Sequence, residues 1–214
     1  MNPETTRTWQ HAMSTLPLVA ILRGIAPHEA DAVGDVLVRS GYALLEVPLN
    51  SPDPLASIAS MARRHPNALV GAGTVRSAEE VKAVHAAGGR LIVSPNFDAR
   101  VVQAAAALGL VCLPGVATPS EAFAALEAGA TGLKLFPAEM IPPAAVKAIR
   151  AVLPPQVLLL PVGGITPSSM AAYRAAGANG FGIGSALYQP GRDPHAIAAS
   201  AQAFADAWTG TIRA

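Results

Sequence analysis

Short apolar runs alternate along this chain with longer alanine-rich segments, in which apolar positions recur at helical spacing. The alternation continues to the C-terminal region. Because the apolar runs are short and bounded by glycine, proline or polar residues, they predict buried strands. The eight predicted strands are Leu18–Gly24, Ala43–Leu49, Ala68–Thr74, Leu91–Asn96, Leu110–Gly115, Gly132–Pro137, Val157–Gly164 and Gly180–Leu187.

The segments between these strands carry signals that begin and end helices. Helix starts are predicted where a proline or a capping residue precedes the periodic segment. Helix ends are predicted where a glycine follows it. The start signals lie at Pro27, Ser51-Pro52, Ser77, Asp98, Pro119, Pro142-Pro143, Thr166-Pro167 and Asp193-Pro194, and the terminal glycines are Gly41, Gly88, Gly109, Gly129 and Gly177.

Eight strand–helix units without a linker predict an α/β fold, a single-domain (β/α)8 TIM barrel over residues 1–214. Residues 1–15 are interpreted as an N-terminal extension or helix. The alternative is a doubly wound open sheet, which normally has fewer strands and a glycine-rich loop after the first one. The chain instead has Arg23-Gly24-Ile25-Ala26-Pro27 at that place.

The composition of the chain limits the classes of function that it can have. Hydrophobic residues make up 51% of the chain, charged residues 14%, and the net charge is +1 without any block of like charges. This pattern disfavours disorder and nucleic-acid binding and favours a small-molecule partner. Residues 1–15 lack the apolar core of a signal peptide, and no run of eighteen apolar residues predicts a membrane span. We therefore expect a soluble, cytoplasmic protein.

Neither the cysteine nor the histidines predict special chemistry. The single cysteine, Cys112, has no intramolecular disulfide partner and is interpreted as a buried small hydrophobe. The five histidines fall outside the predicted strand ends, and no two have the spacing of metal ligands. The sequence predicts no metal and no cofactor.

Two charged residues interrupt otherwise apolar strands close to their C-terminal ends, where the active sites of barrels lie. Alternation directs Lys134 to the barrel interior, because its neighbours Leu133 and Leu135 point outward. A desolvated lysine has a lowered pKa and attacks carbonyl carbons as a free amine. Glu46 is similarly placed and is a candidate general acid/base. The alternative is that the two side chains form a structural ion pair.

Glycine clusters follow the last two strands. Gly163 and Gly164 form one cluster, and Gly184 with Ser185 lies in the other. Glycines let backbone N–H groups approach an anion, and the loops after strands seven and eight are the usual phosphate site of this fold. The alternative is that they only form tight turns.

Weaker signals come from polar residues at other strand ends. Arg23 ends the first strand and is a candidate for binding a carboxylate or a phosphate. Thr74 and the Ser94-Pro95-Asn96 turn are expected at the same opening.

Five segments, taken together, resemble the class I aldolases of 2-keto-3-deoxy-6-phospho sugar acids. The resemblance extends from about Leu16 to about Gln189. The segments are Leu18-Val19-Ala20-Ile21-Leu22-Arg23-Gly24, Glu46-Val47-Pro48-Leu49-Asn50-Ser51-Pro52, Gly71-Ala72-Gly73-Thr74-Val75, Leu133-Lys134-Leu135-Phe136-Pro137 and Val162-Gly163-Gly164.

This resemblance implies a role for each motif residue. Lys134 would form the Schiff base and Glu46 would transfer protons, with substrate contacts from Arg23 and Thr74. The substrate's 6-phosphate would bind at Gly163, Gly164, Gly184 and Ser185. The expected partner is a phosphorylated keto-deoxy sugar acid, and the family implies a metal-independent homotrimer.

Two substrate-binding positions match the galactonate branch of this family. Val162 and Asn50 stand where the phosphogluconate enzymes usually have threonine and the arginine of Leu-Arg-Thr-Pro. The expected substrate is therefore the phosphogalactonate compound, with its gluconate epimer as the alternative. A phosphosugar isomerase or epimerase on the same barrel is a more remote alternative, since it would need no imine-forming lysine. A non-catalytic phosphate-binding protein would not need both charges.

Overall fold

The computed structural model describes residues 2–210. Its parallel strands form two sheets, with the strand orders β5-β4-β3-β2-β1-β9 and β6-β7-β8. The strands are β1 Leu18–Ile21, β2 Leu44–Pro48, β3 Leu69–Gly73, β4 Leu91–Val93, β5 Val111–Leu113, β6 Gly115–Val116, β7 Leu133–Leu135, β8 Leu159–Pro161 and β9 Phe181–Ile183.

Helices connect the strands in the predicted order. They are α1 Pro3–Thr15, α2 Pro27–Arg39, α3 Pro54–Arg64, α4 Ala78–Ala86, α5 Ala99–Ala107, α6 Pro119–Glu127, α7 Pro143–Val152, α8 Met170–Ala175 and α9 Pro194–Gly210. A 3-10 helix over Ala138–Met140 precedes α7. Within residues 2–210, no helix combines the length and the apolar character that a bilayer span requires.

The two sheets approach each other at both edges. Only Pro114 separates β5 from β6, and a proline has no N–H to donate to a strand ladder. At the other edge, Val162 forms an isolated parallel bridge with Gly182 of β9. The result is an α/β fold with a curled parallel sheet.

Side-chain alternation divides the core into two layers. Outward-facing residues such as Leu45, Val47 and Leu135 pack against the helices. Inward-facing residues such as Leu44, Leu69 and Leu91 form a second cluster inside the curl. Trp9 of α1 belongs to that inner cluster, so residues 3–15 form a helix that contributes to the interior.

Most helix boundaries agree with the sequence signals. Ser77 and Thr118 form capping boxes at α4 and α6, and the five predicted terminal glycines all have positive φ.

Two predicted starts were wrong. α3 begins at Pro54 after a left-handed Asp53, and α8 begins at Met170. A hydrogen-bonded turn between Thr166 and Ser169 occupies the place where the second of these helices was expected to start. All eight predicted strands are present, each regular over a shorter stretch than predicted.

Candidate active site

Lys134 lies in the middle of β7 and points into the curl, while Leu133 and Leu135 pack outward. The residue is only 7% exposed. Its Nζ lies 4.4 Å from the centroid of the Phe136 ring. Burial lowers the pKa of Lys134, with Arg23 adding to the effect, whereas the charge of Glu46 opposes it. Burial therefore makes deprotonation of Lys134 to the free amine easier than for an exposed lysine.

Glu46 lies in β2 and is 2% exposed. Its Oε2 atom is buried without a hydrogen-bond partner in the described part of the chain. Burial raises the pKa of Glu46 to about 7, although the positive charges of Lys134 and Arg23 oppose the rise. Such a carboxyl group can both donate and accept protons near neutral pH.

Gly73 of β3 makes room for this carboxylate. A Cβ atom at Gly73 would overlap Glu46 Oε2. The two strands pair in parallel, with Glu46 opposite Gly71 and Pro48 opposite Gly73. A side chain at Gly73 would therefore displace the carboxylate.

Lys134 and Glu46 line one small cavity inside the curl, walled by apolar side chains such as Val19, Leu113 and Leu160. Within residues 2–210, no ion pair of 4.0 Å or less joins their charged atoms. The close structural salt bridge that was the alternative reading is therefore not formed in this structure. Both groups face the same apolar space.

A cleft of about 510 Å³ lies next to this cavity and shares three lining residues with it, Ile21, Val162 and Gly182. The cleft collects most of the remaining predicted site residues, which are Arg23, Val162, Gly163, Gly164, Gly184 and Ser185. The buried pair and the glycine clusters therefore belong to one continuous site.

The glycine clusters present free donors to the cleft. Gly163 and Gly164 have φ values of 116° and 60°, a region that favours glycine. Within residues 2–210, no backbone acceptor pairs with the N–H groups of Gly163, Gly164, Gly184 or Ser185. Four unpaired N–H groups at one cleft can hold an anion.

Arg23 follows β1 and is linked to the loop after β2. Its Nη1 donates a hydrogen bond to Asn50 Oδ1 at 3.1 Å. The N–H of Gly24 also donates to Ser51 Oγ at 2.9 Å. Asn50 therefore orients Arg23, and it does not itself line the cleft.

Thr74 does not line the cleft or the inner cavity. Its φ of 58° is unusual for a β-branched residue. The strained residue directly follows Gly73, which contacts Glu46. The structure thus brings Thr74 to the Glu46 side of the site without placing it on the cleft.

Sequence reasoning missed three residues that shape the site: Phe136, Gly73 and Glu139. Phe136 covers the lysine and Gly73 admits the carboxylate. Glu139, in the 3-10 helix after β7, is the one acidic side chain in the lining of the cleft. Its position in the loop that follows the lysine strand was the signal that could have identified it.

No other feature of the described residues competes with this site. Within residues 2–210, no group of three or more His, Cys, Asp or Glu side chains could hold a metal. A larger cavity of about 710 Å³ between α8 and α9 contains none of the predicted site residues. Cys112 is buried, and burial raises the pKa of its thiol to about 12, so it is not a nucleophile.

A parallel α/β fold that places a buried lysine and a buried carboxyl group at one cavity is compatible with lyases that cleave carbon–carbon bonds through an imine. The sequence profile of the KDPG and KHG aldolases matches residues 10–197. The chain belongs to this aldolase family and is a carbon–carbon lyase.

Individual relatives agree with the family assignment. A protein of Rhizobium meliloti (strain 1021) named a probable 2-dehydro-3-deoxy-6-phosphogalactonate aldolase is 48% identical over 82% of this chain and 83% of its own. The 2-dehydro-3-deoxy-6-phosphogalactonate aldolase of Escherichia coli (strain K12) is 42% identical over 96% and 99% of the two chains. A solved structure described as native KDPGal superposes with a TM-score of 0.92 at 42% identity, covering 93% of this chain and 97% of that one.

Proposed function

We propose that this aldolase cleaves 2-dehydro-3-deoxy-6-phosphogalactonate to pyruvate and glyceraldehyde 3-phosphate through a Schiff base on Lys134. The observation that carries the proposal is the buried Lys134–Glu46 pair next to a cleft with free backbone N–H groups. The names of the relatives at 42–48% identity support the galactonate substrate.

The reaction begins at the ketone of the sugar acid. The neutral amine of Lys134 attacks C2, and the carbinolamine loses water while Glu46 transfers the protons. The product is a protonated imine, which accepts the electron pair of the bond that breaks next. Burial supports the attack of the amine on C2 because it lowers the pKa of Lys134.

Removal of the proton from the C4 hydroxyl then breaks the C3–C4 bond. Glyceraldehyde 3-phosphate leaves, and pyruvate remains as an enamine on Lys134. Protonation at C3 and hydrolysis of the imine release pyruvate and restore the amine. Glu46, whose pKa lies at about 7, accepts and returns protons in this sequence.

The phosphate binds at the glycine clusters. The N–H groups of Gly163, Gly164, Gly184 and Ser185 surround it, and Arg23 adds a positive charge to the cleft. Since this binding occurs away from the breaking bond, it orients the substrate and raises kcat as well as affinity. In a crystal, a bound sulfate should lie against these four N–H groups.

The proposal includes a single domain with a closed (β/α)8 barrel, a homotrimer and a cytoplasmic location. The near-continuity of β5 and β6 at Pro114 and the Val162–Gly182 bridge support closure. The homotrimer rests on the family resemblance, and analytical ultracentrifugation tests it.

Borohydride trapping tests the covalent step. Reduction in the presence of pyruvate should attach a three-carbon acid to the peptide that contains Lys134. The other two lysines, Lys82 and Lys147, are exposed on helices and serve as internal controls. Lys134→Arg should abolish both trapping and cleavage, because a guanidinium stays protonated. A label on Lys82 or Lys147 would refute the assignment.

Coupled assays with the two C4 epimers test the substrate. Pyruvate formation should be faster with the phosphogalactonate compound than with its gluconate epimer. The opposite preference would be compatible with the aldolase mechanism but would make the gluconate epimer the substrate.

A further inference from the structure

Glu139 lies directly against the glycine pair of the cleft. A Cβ atom at Gly163 would overlap its carboxylate oxygen Oε2, and one at Gly164 would lie 3.0 Å from its Cγ. The side chain therefore occupies the space that the two glycines leave open. Its charge stands at the edge of the anion site.

The turn that carries Glu139 is fixed on both sides. The N–H of Ala138 donates to the Val162 carbonyl at 2.9 Å. The hydroxyl of Tyr173 donates to the Ala138 carbonyl, also at 2.9 Å. The backbone position of Glu139 is thus set by the strand end that bears the glycine pair and by α8.

The carboxylate itself has no hydrogen bond or ion pair with any of residues 2–210. A negative charge next to an anion site weakens binding of the anion. Glu139 is exposed, so water solvates its carboxylate in the free protein, and the carboxylate is available to accept a hydrogen bond from a substrate hydroxyl that enters the cleft.

We infer that Glu139 is a specificity-determining residue that accepts a hydrogen bond from the C5 hydroxyl of the substrate. This inference rests on the proposed function. With C2 bound to Lys134 and the 6-phosphate at the glycines, the intervening carbons carry two hydroxyls, on C4 and C5. The C4 hydroxyl loses its proton in the reaction. C5 is one carbon away from the phosphorylated C6, so its hydroxyl lies next to the glycine pair that Glu139 contacts.

The aldol addition reaction isolates this contact. Pyruvate is combined either with glyceraldehyde 3-phosphate, whose C2 hydroxyl becomes the C5 hydroxyl, or with 3-oxopropyl phosphate, which lacks that hydroxyl. The ratio of kcat/KM for glyceraldehyde 3-phosphate to kcat/KM for 3-oxopropyl phosphate is measured for wild type, Glu139→Ala and Glu139→Gln. Loss of the charge changes the binding of both phosphates alike, so that effect cancels in the ratio.

A hydrogen bond to a charged acceptor corresponds to a discrimination of about tenfold or more. The ratio should fall by this factor in Glu139→Ala. It should fall by a smaller factor in Glu139→Gln, which keeps a neutral acceptor. Glu127→Gln removes the same charge from an exposed position on α6 outside the cleft and should leave the ratio unchanged.

Two results would overturn the inference in different ways. If Glu139→Ala adds both aldehydes with the wild-type ratio, Glu139 does not contact the hydroxyl, and the aldolase function stands. If wild-type protein neither adds either aldehyde nor forms the borohydride adduct with pyruvate, the proposed function itself fails and this inference fails with it.

Discussion

The two ends of the space inside the curled sheet are built from the same parallel strands and serve different purposes. At the N-terminal ends of the strands, Trp9 of α1 packs in an apolar cluster with residues such as Leu44 and Leu69. Further along the strands, towards their C-terminal ends, the space holds Lys134 and Glu46. Burial of apolar surface at the first end stabilises the fold. Burial of two ionisable groups at the second end costs stability, as expected if these groups serve the proposed chemistry.

The change from one purpose to the other occurs within a single strand. In β2, Leu44 and Glu46 both point inward, two residues or about 7 Å apart. Alternation sends Leu45 between them to the helix side. A strand of five residues is therefore long enough to contribute both to the packed interior and to the candidate active site.

The largest expected effect comes from replacing the carboxyl group at the reactive end. Glu46→Gln keeps the shape of the side chain and removes its ability to transfer protons. We expect kcat to fall by roughly 10²–10⁴, with a smaller change in KM. Steady-state kinetics of cleavage measure this. An unchanged kcat would mean that Glu46 contributes only charge to the interior.

The pH dependence of the wild-type enzyme follows from the same group. Because burial raises the pKa of Glu46 from 4.5 to about 7, the carboxylate that accepts a proton is lost as the pH falls below about 7. The kcat/KM profile should therefore decline on its acidic side with an apparent pKa near 7, and Glu46→Gln should lack this limb. A limb near 4.5 in wild type would contradict the desolvated environment.

A substitution at the packed end should affect stability and leave the chemistry intact. Trp9 is 4% exposed, so Trp9→Ala should lower the free energy of unfolding by about 3–5 kcal/mol. Urea denaturation measures this loss, and His11→Ala, exposed on the same helix, should change it by less than about 0.5 kcal/mol. Folded Trp9→Ala should still form the borohydride adduct at Lys134. Loss of that adduct would show that the two ends are not separable.

The sequence predicted the inward placement of Lys134 and Glu46 better than the contacts around them. A lone charge between apolar neighbours in a strand indicates a position inside the sheet, and both residues line the inner cavity. Their catalytic roles stay predictions. The orienting contact between Asn50 and Arg23 could not be predicted, because it joins loops that are far apart in sequence. The sequence does not distinguish Glu139 from other loop glutamates, because its contact with the glycine pair exists only in the folded structure. The late start of α3 depends on the left-handed backbone conformation of Asp53, which no residue pattern predicted.

The smallest expected effect concerns Val162, which lines both the inner cavity and the outer cleft. Valine and threonine have nearly the same shape, but only threonine offers a hydroxyl that can bond one configuration at C4. We expect Val162→Thr to move the ratio of kcat/KM for the two epimers towards the gluconate compound by about two- to tenfold, as a hydrogen bond worth about 0.5–1.5 kcal/mol implies. Val162→Ile, which enlarges the side chain without adding a donor, is the control for size. If Val162→Thr leaves the ratio unchanged, other residues of the cleft determine the epimer preference. Val162 would then belong to the packed end of the interior and not to the reactive end.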